Sequence, residues 1–167
     1  DPHRPFRNKA IQDHYSPGST FKTFTAMAGL KNGMTSFGLD HYCPGTFRIK
    51  RIVWRCFRRW GHGNINLQEA LKVSCDSFFY DLGSRLGLEK LSDFTFDLGF
   101  GQKTGIDFLG ESRGIVPNNS YYQKRMGYVA PGFVVNMAIG QGDLSVTPLQ
   151  LAVAYGAFAN GGKVLLP

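Results

Sequence analysis

The spacing of apolar side chains along the chain indicates a protein built mostly from helices. Phe21, Phe24 and Ala28 recur at helical spacing, so the face that they share is expected to be buried. The pair Ser16-Pro17 supplies a favoured cap and a favoured first helical residue, and Asn32-Gly33 predicts the helix end. The first helix is therefore predicted to lie between these two signals.

Four further helices are predicted from the same kinds of signal. Asn66 and Glu69 have the spacing of a capping box. Thr147 and Gln150 repeat that spacing, with Pro148 at the first helical position. The predicted helices cover residues 66–73, 77–86, 89–98 and 147–158.

The segments outside these helices are rich in glycine, proline and asparagine. Residues 34–64 are predicted to be irregular or to form a short hairpin, and residues 99–119 to be loop. Residues 163–166 are predicted to begin a strand. No apolar run approaches the roughly 18–20 residues that a membrane-spanning helix needs.

Composition and charge then narrow the class of protein. The 167 residues suffice for one domain, and 43% hydrophobic against 19% charged residues fits a folded chain. The net charge of +7 suggests an anionic neighbour, which could be nucleic acid, an acidic lipid surface or an acidic polymer. A basic run with interleaved aromatic residues lies between positions 48 and 60, and such a run is most often a solvated face.

The three cysteines do not form a recognisable metal or disulfide pattern. The spacing of Cys43, Cys56 and Cys75 matches no paired Cys-x-x-Cys site. Free buried thiols are therefore expected, with a Cys43–Cys56 bridge as a hypothesis. His62 has no second histidine or cysteine at ligand spacing, and a loop role is expected for it. The sequence predicts neither a metal nor a cofactor.

Ser19 and Lys22 are the strongest candidates for chemistry. Residues three apart on a helix lie one turn apart on the same face. A serine hydroxyl becomes a useful nucleophile when a nearby base takes its proton, and a buried lysine can be that base. Ser19 in the first turn would also have free backbone N–H groups beside a developing oxyanion. Because Ser-x-x-Lys arises often by chance, the flanking residues decide its meaning.

Three stretches resemble the motifs of one family, in that family's order. Residues 15–22 read Tyr-Ser-Pro-Gly-Ser-Thr-Phe-Lys, which resembles the active-site helix of penicillin-binding proteins. Residues 74–76, Ser-Cys-Asp, are similar to the second motif in the form found in class B, elongation-specific enzymes. Residues 139–142, Ile-Gly-Gln-Gly, resemble the stretch that precedes the final class B strand. The chain is identified as a class B transpeptidase domain, most similar to the penicillin-binding protein 2 type.

The resemblance implies an α/β fold, the penicillin-binding transpeptidase fold that serine β-lactamases share. Residues 1–167 would be a mostly helical part of that domain, without its first strands and its C-terminal Lys-Thr-Gly strand. This part alone is therefore expected to be weakly active or inactive. Lys103-Thr104-Gly105 spells the third motif but precedes residues 139–142, which is the wrong order, so Lys103 is not expected to be catalytic.

The function implied by the resemblance is peptidoglycan D,D-transpeptidation through a serine acyl-enzyme, without a cofactor. Ser19 would be acylated by stem peptides and by β-lactams, and Lys22 would take its proton. Ser74 would relay a proton to the leaving nitrogen, and Asp76 would bind the substrate amide or Lys22. A simpler interpretation is that Ser74 or Asp76 only caps the following helix.

The resemblance also implies partners and a location. A glycan polymerase and proteins of the elongation complex are expected partners, and nucleic acid is not. The parent protein is expected to be anchored in the bacterial inner membrane, with a periplasmic catalytic domain.

Three alternatives stay open. The chain could belong to a β-lactamase or β-lactam sensor, although no deacylating base is identified in its sequence. It could be a D,D-carboxypeptidase, which transfers the acyl group to water. It could also be a non-catalytic basic binding module, which would show salt-sensitive nucleic-acid affinity and no acylation by penicillin.

Overall fold

Helices dominate residues 6–167, the part of the chain that the computed structural model describes. The capping boxes predicted at Asn66 and Thr147 are both present, and each opens a helix. The predicted helix starts and ends agree with the structure to within a residue or two for four of the five helices. The helices of the structure are α1 (Lys22–Lys31), α2 (Leu67–Lys72), α3 (Asp76–Leu86), α4 (Leu88–Asp97), α5 (Asn119–Met126), α6 (Pro131–Met137) and α7 (Pro148–Ala159).

Four short strands form two nested antiparallel pairs between α1 and α2. The strands are β1 (His41–Cys43), β2 (Thr46–Ile49), β3 (Ile52–Arg55) and β4 (Gly63–Ile65). Strands β2 and β3 form a hairpin, which the sequence predicted in outline. Strands β1 and β4 pair on either side of that hairpin, with Cys43 opposite Gly63. The nesting brings the two ends of the segment together beside α2.

The first helix differs from its prediction at its start. Residues Gly18–Phe21 form a 3₁₀ turn, and α1 begins only at Lys22. Gly18 has φ of +59°, which interrupts helical geometry, so Ser16 does not cap the helix as predicted. The predicted end is confirmed, since Asn32 is the C-cap residue.

Helix α1 lies at the centre of the core and is buried on more than the predicted face. Phe21, Phe24 and Ala28 are fully buried, as predicted. Thr25 is also buried, and Lys22 is only 2% exposed. Helix α1 packs against α3 and α4, and α3 packs in turn against α6. A turn held in such a core can present its residues in one fixed geometry.

Two parts of the chain depart from the sequence predictions. Helices α5 and α6 were not predicted, although Asn118 caps α5 and Pro131 opens α6. Residues 163–166 form no strand, because no other segment among residues 6–167 pairs with them. No helix in this described part of the chain is both long and apolar enough to cross a membrane.

Close packing of α3 against α6 depends on Gly83. A methyl group at this position would lie 2.4 Å from the Ala138 side chain and 3.3 Å from the Val134 carbonyl oxygen. We expect Gly83→Ala to lower the free energy of unfolding by about 1–3 kcal/mol, because the helices must move apart. The exposed neighbour Ser84 provides the control: Ser84→Ala should change stability by less than about 0.5 kcal/mol. Urea unfolding of both variants measures this, and equal stabilities would contradict the packing described.

Candidate active site

The buried ammonium group of Lys22 is the centre of the candidate site. Its Nζ donates to the Ser74 carbonyl oxygen at 2.8 Å, to Ser74 Oγ at 2.9 Å and to Asp76 Oδ1 at 2.6 Å. The Lys22 side chain is 2% exposed and that of Asp76 is 15% exposed, so this is a largely desolvated ion pair. The structure therefore brings together Lys22, Ser74 and Asp76, three of the four residues that the sequence singled out.

The second-motif segment reaches Lys22 through an unusual backbone conformation at Ser74. Its φ of +51° lies in the left-handed region, which side chains other than glycine rarely occupy. Two backbone hydrogen bonds hold the turn, from Ser74 N to Leu71 O at 3.1 Å and from Cys75 N to Ala70 O at 2.9 Å. Such conformations cluster at functional sites, where the surrounding structure enforces them. Here the conformation directs both the carbonyl and the hydroxyl of Ser74 at Lys22.

Ser19 lies at the solvent-exposed start of the same helical segment. It occupies the 3₁₀ turn, and the Lys22 backbone N–H donates to its carbonyl oxygen. Its side chain is exposed, whereas that of Lys22 is buried directly after the turn. Among the described residues, no hydrogen bond joins Ser19 Oγ to Lys22 Nζ, whose three bonds go to Ser74 and Asp76. The hydroxyl is thus accessible to a ligand, one turn from the buried amine.

The Ile-Gly-Gln-Gly stretch (residues 139–142) packs against the 3₁₀ turn that carries Ser19. The Gly18 N–H donates to the Gly140 carbonyl oxygen at 2.9 Å. A methyl group at Gly140 would lie 2.2 Å from the Gly18 carbonyl oxygen, so only glycine permits this approach. Thr25 Oγ1 donates to the Ala138 carbonyl oxygen at 2.8 Å and fixes the same segment one turn farther along α1.

The helix-capping interpretation of Ser74 and Asp76 is wrong. The N-cap residue of α3 is Cys75, and no side chain caps the helix. Asp76 uses Oδ1 for Lys22 and Oδ2 for the backbone N–H of Phe57, at 3.0 Å. Both carboxylate oxygens therefore tie α3 to other parts of the site.

The Lys103-Thr104-Gly105 tripeptide lies in a loop, as its position in the sequence suggested. Thr104 donates to Glu111 Oε1 through its backbone N–H at 2.7 Å and through its hydroxyl at 2.6 Å. Glu111 is buried, whereas Lys103 is exposed. These bonds give the tripeptide a local structural role.

A second group of reactive side chains lies beside Asp76, and the sequence analysis did not anticipate it. Cys43, Cys56, His62 and Cys75 place their donor atoms within 4.8 Å of one another. Cys43 Sγ and Cys56 Sγ each lie 3.6 Å from His62 Nδ1. The expectation that His62 lacks a cysteine partner is therefore wrong, because strand pairing joins residues that are distant in sequence. All three cysteines are free and buried, and the hypothetical Cys43–Cys56 bridge is absent from the structure.

In this group of three cysteines and one histidine, the surroundings favour an uncharged imidazole. They shift the pKa values of the thiols in different directions. Burial, reinforced by the nearby Arg58 charge, lowers the pKa of His62. Burial also raises the pKa of the Cys75 thiol. At Cys43, burial acts in the same upward direction, but backbone hydrogen bonds from Gly45 and His62 outweigh it and lower the pKa. Three thiols and a neutral imidazole are the donor types that zinc prefers.

Comparison with known proteins identifies the family. The family model described as "Penicillin binding protein transpeptidase domain" matches residues 1–167. The chain belongs to this transpeptidase family. The peptidoglycan D,D-transpeptidase MrdA of Acinetobacter baumannii is 38% identical over 98% of the chain, which spans 25% of that relative's length.

Solved structures of this transpeptidase family share the fold. Pseudomonas aeruginosa PBP2, solved in complex with WCK 5153, superposes with a TM-score of 0.96 at 35% identity, covering 100% of this chain and 39% of that one. PBP2 of Helicobacter pylori, solved in a complex with MreC, superposes with a TM-score of 0.93 at 34% sequence identity. The match covers 100% of this chain and 32% of that one. The predicted fold class and the resemblance to the penicillin-binding protein 2 type are confirmed.

The ion pair between Lys22 and Asp76 should contribute far more to stability than an exposed pair. Asp76→Ala would leave a buried ammonium without its counter-charge, so we expect the free energy of unfolding to fall by about 3–5 kcal/mol. The pair Lys31–Asp97, exposed by 60% and 64%, is the matched control. Asp97→Ala should cost no more than about 1 kcal/mol. Chemical denaturation of both variants tests this, and similar losses would show that Lys22 is not desolvated as described.

Proposed function

We propose that this chain carries the acylating site of a peptidoglycan D,D-transpeptidase, the activity for which the similar MrdA is named. The observation that carries the proposal is the geometry around Lys22. Its amine is bound by Ser74 and Asp76, and the accessible Ser19 hydroxyl lies one turn away. A nucleophile, a buried amine and a second hydroxyl are the parts that acyl transfer needs.

In the proposed acylation, Ser19 Oγ attacks the carbonyl carbon of the penultimate D-Ala of a stem peptide. The C–N bond to the terminal D-Ala breaks, and the acyl group stays on Ser19 as an ester. The Ser19 proton moves to the neutral amine of Lys22, and the leaving nitrogen takes a proton through Ser74 Oγ, 2.9 Å from Lys22 Nζ. The amine of a second stem peptide then attacks the ester carbon, forming the crosslink and returning a proton to Ser19 Oγ.

Asp76 has a place in this proton movement. Lys22 accepts the Ser19 proton only as a neutral amine, so one of its protons must first pass to an acceptor. Asp76 Oδ1, at 2.6 Å, is the shortest of the three contacts of Nζ. Its other oxygen stays bound to Phe57 N, which keeps the carboxylate in position. We therefore assign Asp76 to orient Lys22 and to accept the proton that Lys22 gives up before it takes the Ser19 proton, in addition to any contact with substrate.

Partners and location follow from the same proposal. The complex of PBP2 with WCK 5153 supports a site that binds a small molecule, and the complex with MreC supports a partner of the MreC kind. That β-lactams acylate Ser19 is part of the same proposal. We propose that stem peptides are the substrates and that a glycan polymerase of the elongation complex works beside the enzyme. The catalytic domain would act on the periplasmic side of the inner membrane. Product analysis separates crosslinking from hydrolysis by a D,D-carboxypeptidase, because only the latter transfers the acyl group to water.

Covalent labelling tests which residue is the nucleophile. Incubation with benzylpenicillin should add one drug mass to the protein in intact-mass spectrometry, and Ser19→Ala should abolish the adduct. The nearby exposed Ser16 is the control, since Ser16→Ala should still be labelled. The experiment is run on this chain and on a longer chain that includes the expected Lys-Thr-Gly strand. A folded longer chain without an adduct would refute the proposal, and an adduct that survives in Ser19→Ala would refute the residue assignment.

The rate of acylation tests whether Lys22 is the base, with Lys103 as the control lysine. Lys22→Ala removes the proposed base, and we expect the second-order acylation rate constant to fall by about 100-fold or more. Lys103→Ala alters the exposed lysine of the Lys103-Thr104-Gly105 tripeptide and should leave the rate within about twofold of the parent. Stopped-flow acylation by a fluorescent penicillin measures both. A larger loss in Lys103→Ala than in Lys22→Ala would reverse the assignment.

A further inference from the structure

Nearly all of the net positive charge of the chain lies in one short segment. The net charge is +7, and residues 41–68 contain no aspartate or glutamate. Six basic residues lie within positions 48–59, which leaves a net charge of only +1 for the rest of the chain. Together they form the basic hairpin surface: Arg48, Lys50, Arg51, Arg55, Arg58 and Arg59.

The β2–β3 hairpin has an anchored face and an exposed face. On the anchored face, Phe47 lies opposite Trp54, and Trp54 Nε1 donates to Asn136 Oδ1 of α6 at 3.2 Å. Because successive side chains of a strand point to opposite faces, Arg48 and Arg55 lie on the other face, and both are exposed. The hairpin is therefore a fixed support that presents its cations to solvent.

The loop after β3 extends the basic hairpin surface toward the candidate active site. Arg58 and Arg59 directly follow Phe57, whose backbone N–H donates to Asp76 Oδ2 at 3.0 Å. A methyl group at Gly45 would lie 2.2 Å from the Arg59 carbonyl oxygen, so this loop packs directly on the base of the hairpin. The cations thus continue from the tip of the hairpin to the residues next to the amide that holds Asp76.

The six cations have no carboxylate partner within the part of the chain that the structure describes. All six are exposed, and the ion pairs found among residues 6–167 involve other side chains. Exposed apolar side chains lie among them, since Ile52, Phe57 and Trp60 are 60%, 65% and 89% exposed. A surface that combines unpaired cations with exposed aromatic rings fits an anionic partner that also has apolar faces.

An uncrosslinked peptidoglycan strand is the partner that combines these properties. Its stem peptides carry free carboxylates, so the strand is a polyanion near neutral pH, and its sugar rings offer apolar C–H faces to aromatic side chains. A strand that delivers a stem peptide to Lys22 lies beside Asp76, where the basic loop begins. An acidic membrane or a nucleic acid would match the charge, but neither accounts for a basic surface that ends at the acylating site.

We propose that the basic hairpin surface binds the anionic peptidoglycan strand that carries the reacting stem peptides. The cations attract the carboxylates of the strand, and Phe57 and Trp60 pack against its sugar rings. The surface contributes to binding only, and bond making stays with Ser19 and Lys22. The identity of the strand rests on the proposed function, whereas the binding of a polyanion does not.

Strand binding tests the basic hairpin surface on this chain. The probe is a fluorescently labelled glycan strand with uncrosslinked pentapeptide stems, and fluorescence anisotropy measures its binding. Chemical amidation of the carboxylates leaves the polymer intact and should weaken binding by about 10-fold or more. Raising the salt concentration should weaken binding of the free-acid strand much more than binding of the amidated strand. Equal binding of the two strands would overturn the proposal.

A pair of double variants locates the binding surface. Arg51→Gln with Arg59→Gln removes one cation from the hairpin tip and one from the loop, and should weaken strand binding by about fivefold or more. Lys90→Gln with Lys124→Gln removes the same charge at exposed positions outside the hairpin and should stay within about twofold of the parent. Equal losses in the two double variants would show that net charge binds the strand, and would overturn the assignment to the hairpin.

The competing partners are tested in the same assay. Vesicles that contain phosphatidylglycerol and single-stranded DNA are added as unlabelled competitors at matched concentrations of negative charge. The proposal predicts that neither displaces the labelled strand as well as the unlabelled strand does. More effective displacement by the vesicles would assign the surface to an acidic membrane, and more effective displacement by DNA would assign it to nucleic acid.

Crosslinking kinetics separate this inference from the proposed function. In a longer chain that benzylpenicillin labels, Arg51→Gln with Arg59→Gln should raise the KM for glycan strands by about fivefold or more, with kcat within about twofold of the parent. General damage to the site would instead lower kcat. An unchanged KM in a labelled chain would refute the basic hairpin surface. Strand binding by a folded chain that benzylpenicillin does not label would refute the proposed function and leave the polyanion site in place.

Discussion

The buried charge of Lys22 is the constraint on which the rest of the site depends. An ammonium group that is 2% exposed is tolerated only if protein atoms replace the water around it. Ser74 supplies two oxygens and Asp76 supplies a third. The left-handed turn at Ser74 places these groups, so its strain is balanced by the bonds to Lys22. The charge thus links α1 to the segment that opens α3.

The core explains why Ser19 and Lys22 differ in environment although they are one turn apart. Helix α1 is packed by α3 and α4, which buries Lys22, while the 3₁₀ turn before it reaches the surface. Gly140 allows its backbone to approach that of Gly18, where a side chain at position 140 would collide. The 3₁₀ turn is therefore held in place by the core and exposed to solvent at Ser19. A nucleophile needs both a fixed position and access to its substrate.

Local signals in the sequence predicted most helix boundaries, and they failed where tertiary contacts decide. The capping boxes at Asn66 and Thr147 are local, and both are confirmed. The start of α1 was misplaced because the Gly18–Gly140 contact joins distant segments. Helix α5 was missed because its residues are largely polar and only Tyr122 is buried, which leaves a weak periodic signal.

In the candidate site, too, the residues that belong to sequence motifs were predicted and those brought together by tertiary contacts were not. The family motifs predicted Ser19, Lys22, Ser74 and Asp76, and the structure unites the last three. The group of Cys43, Cys56, His62 and Cys75 could not be predicted from spacing, because the pairing of β1 with β4 creates it. The concentration of every cysteine and a histidine between residues 43 and 75 was the available signal.

A crystal structure of the acylated protein would test the account most directly. After reaction with benzylpenicillin, the account predicts continuous density from Ser19 Oγ to the opened drug, with Lys22 Nζ within hydrogen-bonding distance of Ser74 Oγ and Asp76. Drug density attached to another residue, or a Lys22 side chain turned away from both Ser74 and Asp76, would contradict the account.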